Sequence, residues 1–307
     1  MLEILLLCVS ASLSGYEEWD EIVDFGVAKL AWLRRHLPFT VGIPAQGTLN
    51  RVMSRLEPRG FEKCLIAWVQ RCVKLPEGAH ICLDGKRQRR SGTAWQQQTP
   101  QAQGGMSAVH LLHAWCDEAG LYLGQYQTPD KANEITALPD LLALLDVQGC
   151  LLTMDAIGCQ KSVTRAIAIA IAIAGAEYLL AMKGNQPTLH TAVEAAFATT
   201  ADTEAATTNG EKPAHERVET RTVSATGVTT AETRHYLSSR QASATAFQGY
   251  VRRHWSIENR LHWVLDVVFG EDHSRKRIGH VAANCAIVRK FVLNLLRAQP
   301  ESKRTCS

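Results

Sequence analysis

The sequence lacks a long uncharged apolar run of about 20 residues, the length that a membrane-spanning helix needs. Its nine cysteines form no C-x-x-C pair and no spacing typical of zinc ligands, and their odd number argues against a disulfide-bonded secreted framework. The apolar start is similar to a signal peptide, but Glu3 stands where such peptides carry positive charge, so an amphipathic first helix is expected. These absences predict a cytoplasmic protein with free thiols and no membrane partner.

The chain also has little net charge, only +3 over 307 residues, which does not by itself indicate a nucleic-acid partner. Basic residues are nevertheless concentrated at 86–90 and 275–277. Either cluster could contact nucleic acid, or it could simply be a charged surface in contact with solvent. A hydrophobic content of 46% with 21% charged residues is typical of a globular protein of about two domains.

The order of apolar patterns predicts a helical N-terminal domain followed by a mixed α/β sheet. Residues 1–75 have helical periodicity, with helices expected at 16–37 and on both sides of Pro58. Residues 76–297 carry strands and helices in alternation, interrupted by a small β-containing insertion at about 185–245, and 298–307 form a loose tail. The strands are predicted at 81–84, 106–115, 121–127, 150–154, 177–182, 218–223 and 229–237. Later helices are predicted at 133–145, from about 160, around Glu258, into which 240–247 leads, and at 281–297.

The segment 166–174 alternates strictly between Ala and Ile, a pattern that ordinarily predicts a strand. Strands are expected on both sides of it, and they need a crossover connection. Alanine favours helix strongly enough to offset the modest cost of isoleucine, so a helix is predicted here.

The stretch from His254 to Asp272 places acids, imidazoles and indoles at helical spacing. Glu258, His262 and Asp266 are four residues apart and should share one helix face, with Ile257, Leu261, Val264 and Leu265 on the apolar side. The later acidic group 271–273 is a weaker candidate because it lies where the helical pattern fails.

Two further acids, Asp84 and Asp155, end apolar runs that are predicted to be strands. Carboxylates from two strands and the helix of Glu258 can hold two Mg²⁺ ions about 3.5–4 Å apart, as in phosphodiester displacement. Mn²⁺ accepts the same oxygen ligands. The alternatives are a turn for Asp84, which precedes Gly85, and a helix N-cap for Asp155.

Other residues near these acids are candidates for DNA contact. Lys86, Lys183, Asn185 and Gln186 suit phosphate and amide contacts, but a solvated lysine and a plain Gly-Asn turn are equally good explanations. Trp255 and Trp263 can stack on bases, unless at least one packs between helices. His254 and His262 can orient a phosphate or fill structural roles. The remaining candidates are Arg253, Asn259 and Arg275.

Taken together, these motifs resemble the H-repeat-associated group of bacterial insertion-sequence transposases, a branch of the DDE class with an RNase H-like core. The resemblance covers nearly the whole chain. It rests on Leu-Asp-Gly-Lys at 83–86, Asp-Ala-Ile-Gly-Cys-Gln at 155–160, Met-Lys-Gly-Asn-Gln at 182–186 and His-Trp-Ser-Ile-Glu-Asn at 254–259.

The resemblance implies that Asp84, Asp155 and Glu258 form a catalytic, metal-binding triad. It also implies recognition of terminal inverted repeats, Mg²⁺-dependent nicking, strand transfer by the freed 3′-hydroxyl, and a homodimer on DNA. The insertion lacks a stretch expected before Thr233. Two alternatives therefore stay open: an inactive DNA-binding remnant, and a metal-dependent nuclease without strand transfer.

Overall fold

The computed structural model describes residues 1–92, 108–128, 134–155, 161–181, 206–207, 213–223 and 228–299, and every structural statement concerns these residues. Its strands are β1 (His80–Arg87), β2 (His110–Cys116), β3 (Leu121–Thr128), β4 (Leu151–Met154), β5 (Glu177–Ala181), β6 (Ala206–Thr207), β7 (Pro213–Val223) and β8 (Val228–Ser238). The predicted contacts of Lys183, Asn185 and Gln186 lie outside the described residues.

The helices begin with α1 (Leu2–Leu13), α2 (Trp19–Ala28), α3 (Leu30–Leu33), α4 (Gln46–Arg55) and α5 (Pro58–Cys72). They continue with α6 (Glu134–Leu142), α7 (Lys161–Ile173), α8 (Ala244–His254), α9 (Trp263–Val267) and α10 (Val281–Ala298). The single helix predicted at 16–37 is wrong, because Lys29 ends α2 and separates it from the short α3. Within the described part of the chain, no helix is long and apolar enough to cross a bilayer.

The strands form one mixed sheet in the order β3-β2-β1-β4-β5-β8-β7-β6. The first three strands pair antiparallel, whereas β1, β4 and β5 run parallel. Three antiparallel strands followed by two parallel strands with a helical crossover are the arrangement of an RNase H-like core. The predicted α/β class is therefore confirmed. The insertion adds the long antiparallel hairpin of β7 and β8, whose strands are longer than predicted.

The Ala-Ile segment is helical, as predicted, and forms most of α7. This helix is the crossover that joins parallel strands β4 and β5. At a helical period, Ile167 and Ile171 share the buried face, while Ile169 and Ile173 are exposed. The alternation therefore gives a helix with isoleucine on both faces, of which only one face packs.

The N-terminal helices pack on the sheet through the final helix α10, which contacts α1, α4, α5 and β3. One hydrophobic cluster runs from Leu7 and Leu49 through Tyr122 to Leu152. The division into domains at residue 75 stays a prediction, since the helices on both sides of that point share this core.

Asn294 connects α10 to strand β3 by two hydrogen bonds. Its Nδ2 donates to the carbonyl of Tyr122 at 2.7 Å, and its Oδ1 accepts from the N–H of Tyr122 at 2.9 Å. Both residues are buried. The side chain thus satisfies two backbone groups that water cannot reach.

We expect Asn294→Ala to lower the free energy of unfolding by roughly 1–3 kcal/mol, because the change leaves the backbone groups of Tyr122 buried without partners. Urea unfolding followed by circular dichroism measures this loss. The matched control is Gln46→Ala at an exposed position, which should change stability by less than about 0.5 kcal/mol. Equal stabilities of the two variants would contradict the role of Asn294.

Candidate metal centre

Asp84 and Asp155 lie beside each other on two neighbouring parallel strands. Leu83 of β1 pairs with Met154, the last residue of β4, and each acid is the residue that follows in its own strand direction. The turn considered for Asp84 is wrong, because β1 continues through Arg87. The Oδ1 of Asp84 accepts a hydrogen bond from its neighbouring N–H at 2.8 Å. The sheet therefore brings together two acids that are distant in sequence.

Glu258 begins a π-helical turn, Glu258–His262, between α8 and α9. The predicted uninterrupted helical spacing is therefore only partly correct. His262 Nδ1 lies 3.2 Å from Glu258 Oε2, but Asp266 meets Lys86 Nζ at 2.6 Å instead of joining these two residues. The expected apolar side is present, since Ile257 and Leu261 are fully buried. Single π-helical turns recur at functional sites in proteins.

Three side chains converge at this turn. His262 Nδ1 also lies 3.5 Å from Asp84 Oδ2, and the ligand atoms of Asp84, Glu258 and His262 all lie within 4.8 Å of one another. The Glu258 side chain is 50% exposed and that of His262 is 5% exposed, so the cluster opens to solvent on the glutamate side. The hydrogen bond with His262 lowers the pKa of Glu258, which keeps this carboxylate ionised at neutral pH.

His113 supports the cluster from β2, where it pairs with Asp84 in the strand register. Its Nδ1 lies 2.9 Å from His262 Nε2. Burial lowers the pKa of His113 well below its ordinary value, and the charge of Lys290 adds to this effect. His113 is therefore a neutral imidazole that fixes the ring of His262.

A second polar chain ties α8 to the strands behind the acids. His254 Nδ1 and His80 Nε2 each lie 2.8 Å from Thr153 Oγ1. Burial lowers the pKa of His254 to about 4, although the charges of Asp155 and Glu258 oppose this. Burial likewise lowers the pKa of His80 to about 3. His254 is thus a structural link near the acids, and its predicted contact with DNA stays a prediction.

Lys86 lies two residues after Asp84 and is buried among three carboxylates. Its Nζ is 2.6 Å from Asp266, 3.4 Å from Glu271 and 3.5 Å from Asp272. Burial lowers the pKa of Lys86, but the carboxylate of Glu271 and then that of Asp266 raise it above the ordinary value. These ion pairs connect the strand of Asp84 with the segment that follows Glu258. The predicted contact of Lys86 with phosphate stays a prediction, and it requires this amine to leave its carboxylate partners.

Glu271 joins Lys86 to the final helix. It is fully buried, lies 3.8 Å from Lys290 Nζ of α10 and accepts a hydrogen bond from Gln88 Nε2 at 3.1 Å. Burial raises the pKa of Glu271, but the charges of Lys290 and Lys86 outweigh it and lower the pKa to about 2. Glu271, which ranked low as a ligand from the sequence, is therefore a buried carboxylate whose ion pairs stabilise the fold.

The remaining DNA-contact candidates lie at the surface. Trp255 is 47% and Trp263 is 56% exposed, so neither is packed into the core. Asn259 and Arg275 are also exposed. Arg253 is half-exposed and lies 3.3 Å from Glu118 and over the ring of Tyr250. His262, by contrast, is buried in the acidic cluster.

Sequence reasoning missed His113 and Lys290. Both lie inside apolar elements without any motif, and the contacts that define them depend on strand register and on the position of α10. Nothing in the local sequence distinguishes either residue from a solvated one.

The comparisons with known proteins agree with this geometry. Residues 76–295 match the family described as Transposase DDE domain, and residues 1–69 match the family described as DDE_Tnp_1-associated. The chain belongs to the DDE transposase family. This family uses divalent metal ions, and the cluster of Asp84, Glu258 and His262 offers ligands for one.

The relatives also support the H-repeat-associated group. The chain is 38% identical over 329 residues to "Putative transposase YncI" of Escherichia coli O157:H7, covering 96% of this chain and 81% of that protein. It is 33% identical to "H repeat-associated putative transposase YhhI" of E. coli K12, covering 96% and 84%. The resemblance to that group is thereby confirmed.

Among solved structures, a piggyBac transposase synaptic complex with hairpin DNA matches 96% of this chain and 65% of that one. Its TM-score is 0.47 and its sequence identity is 9%, so the likeness carries no argument about function.

We expect Glu271→Gln to lower the free energy of unfolding at pH 7 by roughly 3–5 kcal/mol, because Lys86 and Lys290 lose a buried counter-charge. The folded-state pKa of Glu271 lies below its ordinary value of 4.5. Its stabilisation is therefore complete above that pH and is lost as the pH falls towards about 2. The deficit of the variant should shrink over the same range.

Denaturant unfolding between pH 7 and pH 3 measures this difference. Glu77→Gln, at an exposed position, is the matched control and should give a small, pH-independent change. A Glu271→Gln deficit that stays constant from pH 7 to pH 3 would contradict the ion-pair account.

Proposed function

We propose that this transposase cleaves and joins DNA strands in a Mg²⁺-dependent reaction at Asp84, Asp155 and Glu258. The observation that carries the proposal is the cluster that Asp84 of β1 forms with Glu258 and His262 of the π-helical turn, beside the end of β4 where Asp155 follows. Carboxylate oxygens are hard ligands that suit Mg²⁺, and Mn²⁺ accepts them too. The residues present therefore fit a divalent-metal site.

When bound, divalent ions would activate a water or a 3′-hydroxyl and offset the charge that develops on the phosphodiester. The residues of this chain supply the positioning. Asp84 is held by the N–H of Gly85, and Glu258 is held in its ionised form by His262. Asp155 is exposed at the end of β4, where a strand of the DNA substrate can reach it.

Exposed side chains within the π-helical turn and in the residues that flank it along the chain suit a DNA surface. Trp255 and Trp263 offer rings on which bases can stack, and Asn259 and Arg275 offer donors for phosphate oxygens. Arg253 would join them by exchanging its ion pair with Glu118 for a phosphate. The proposed substrates are the terminal inverted repeats of the element and its target DNA.

Several finer features belong to the same proposal. The protein works as a homodimer on paired DNA ends, in the bacterial cytoplasm and at the nucleoid when bound to DNA. Lys183, Asn185 and Gln186 contact DNA. The chain divides into a helical domain at 1–75 and a catalytic domain at 76–297, with the insertion at about 185–245 and a tail at 298–307.

We expect Asp155→Asn to reduce nicking at the element ends by about 100-fold or more, because a metal ligand contributes several kcal/mol to the transition state. The assay uses a plasmid carrying the DNA that flanks this gene, with Mg²⁺, and maps breaks and joints by sequencing. Asp146→Asn, an exposed acid away from the centre, is the matched control and should cut normally.

The products separate the rival functions. Nicks at the ends together with joined products support the transposase reaction, whereas nicks without joints would indicate a nuclease. Salt-sensitive binding to the ends with no cleavage under Mg²⁺ or Mn²⁺ would indicate an inactive DNA-binding protein and overturn the proposal. Normal cutting by Asp155→Asn would remove Asp155 from the site.

A further inference from the structure

We propose that His262 is itself a metal ligand, so that Asp84, Glu258 and His262 hold one divalent ion through two oxygens and one nitrogen. The inference rests on the proposed function because it concerns the same site. It goes beyond the carboxylate triad by adding an imidazole and by changing which ions the site prefers.

The distances among the three side chains suit coordination. An octahedral ion with bonds of about 2.1 Å places neighbouring ligand atoms about 3 Å apart. His262 Nδ1 lies 3.2 Å from Glu258 Oε2 and 3.5 Å from Asp84 Oδ2. Both distances from His262 Nδ1 therefore lie within about half an ångström of that spacing, and all three ligand atoms lie within 4.8 Å of one another.

The surroundings of His262 also have the form of a ligand's support. Histidines that bind metal through one ring nitrogen almost always donate the other N–H to an acceptor that fixes the ring, which is a carboxylate, a backbone carbonyl or water. His262 Nε2 faces an imidazole acceptor instead, Nδ1 of His113 at 2.9 Å, in the buried layer below the acids. With the proton on Nε2, the lone pair of Nδ1 faces Asp84 and Glu258.

Such an arrangement needs a cation between the three groups. Two carboxylate oxygens and a nitrogen lone pair would otherwise repel one another in a partly buried site. Without an ion, the proton lies on Nδ1 of His262 and is donated to Glu258. The two arrangements differ in one observable, a direct bond between metal and nitrogen.

A nitrogen ligand also predicts a preference among ions. Imidazole suits later transition metals such as Zn²⁺ and Ni²⁺, whereas carboxylate oxygens suit Mg²⁺ and Mn²⁺. We therefore expect His262→Asn to weaken the binding of Zn²⁺ more than the binding of Mg²⁺.

The test is pulsed electron paramagnetic resonance of Mn²⁺ bound to the full chain. We expect modulation from a directly bound ¹⁴N, replaced by the ¹⁵N pattern when the protein is made with ¹⁵N-labelled histidine. The modulation should disappear in His262→Asn, with Mn²⁺ affinity falling about 10- to 100-fold. His36→Asn, at an exposed position, is the matched control and should keep both signal and affinity.

Several outcomes would overturn the inference. Bound Mn²⁺ that is lost in Asp84→Asn but shows no nitrogen coupling would reduce His262 to a positioning residue. Coupling that survives in His262→Asn would assign the ligand to another histidine. Absence of any bound Mn²⁺ would also refute it. If His262→Asn fails to fold by circular dichroism, the isotope-labelled wild-type protein still decides whether a histidine nitrogen binds.

The same experiments distinguish this inference from the proposed function. Normal Mg²⁺-dependent cleavage without nitrogen coupling would leave the transposase reaction in place and remove only the ligand role of His262. Coupling without cleavage would establish the ligand and contradict the reaction.

Discussion

The parallel pairing of β1 with β4 is the constraint on which the site depends. It sets Leu83 opposite Met154 and so places Asp84 beside Asp155. A slip of one residue would turn one acid to the other face of the sheet, because side chains alternate along a strand. Burial of Leu83 in β1 and Leu152 in β4 favours this register, because a slip would expose both side chains or strand them on the wrong face. The placement of the two acids therefore follows from the register of the sheet.

Buried ion pairs then fix the position of Glu258 relative to Asp84 and Asp155. Lys86 continues the strand of Asp84 and binds Asp266, which lies two helical turns after Glu258. Glu271 extends the connection to Lys290 in α10, the helix that also packs on the N-terminal helices. Removing a charge from water costs free energy, and in this network Lys86, Glu271 and Lys290 each have an oppositely charged partner within 4 Å. The network links the strand of Asp84, the segment that follows the π-helical turn, and the final helix.

Part of this structure could be predicted from the sequence, because some of its determinants are local. Apolar runs that end in Asp84 and Asp155 identified the strands, and the need for a crossover identified the Ala-Ile segment as helix. The π-helical turn at Glu258 could not be predicted, since its pattern of apolar residues equals that of an α-helix. His113 and the partners of Lys86 were also beyond prediction, because strand register and helix packing bring them together over distances that no local pattern encodes.

Anomalous diffraction from crystals grown with Mn²⁺ tests the central claim most directly. The account predicts a metal peak in contact with Asp84 and Glu258, close to Asp155 at the end of β4. A peak bound at other residues, with these three acids free of metal at saturating Mn²⁺, would contradict it.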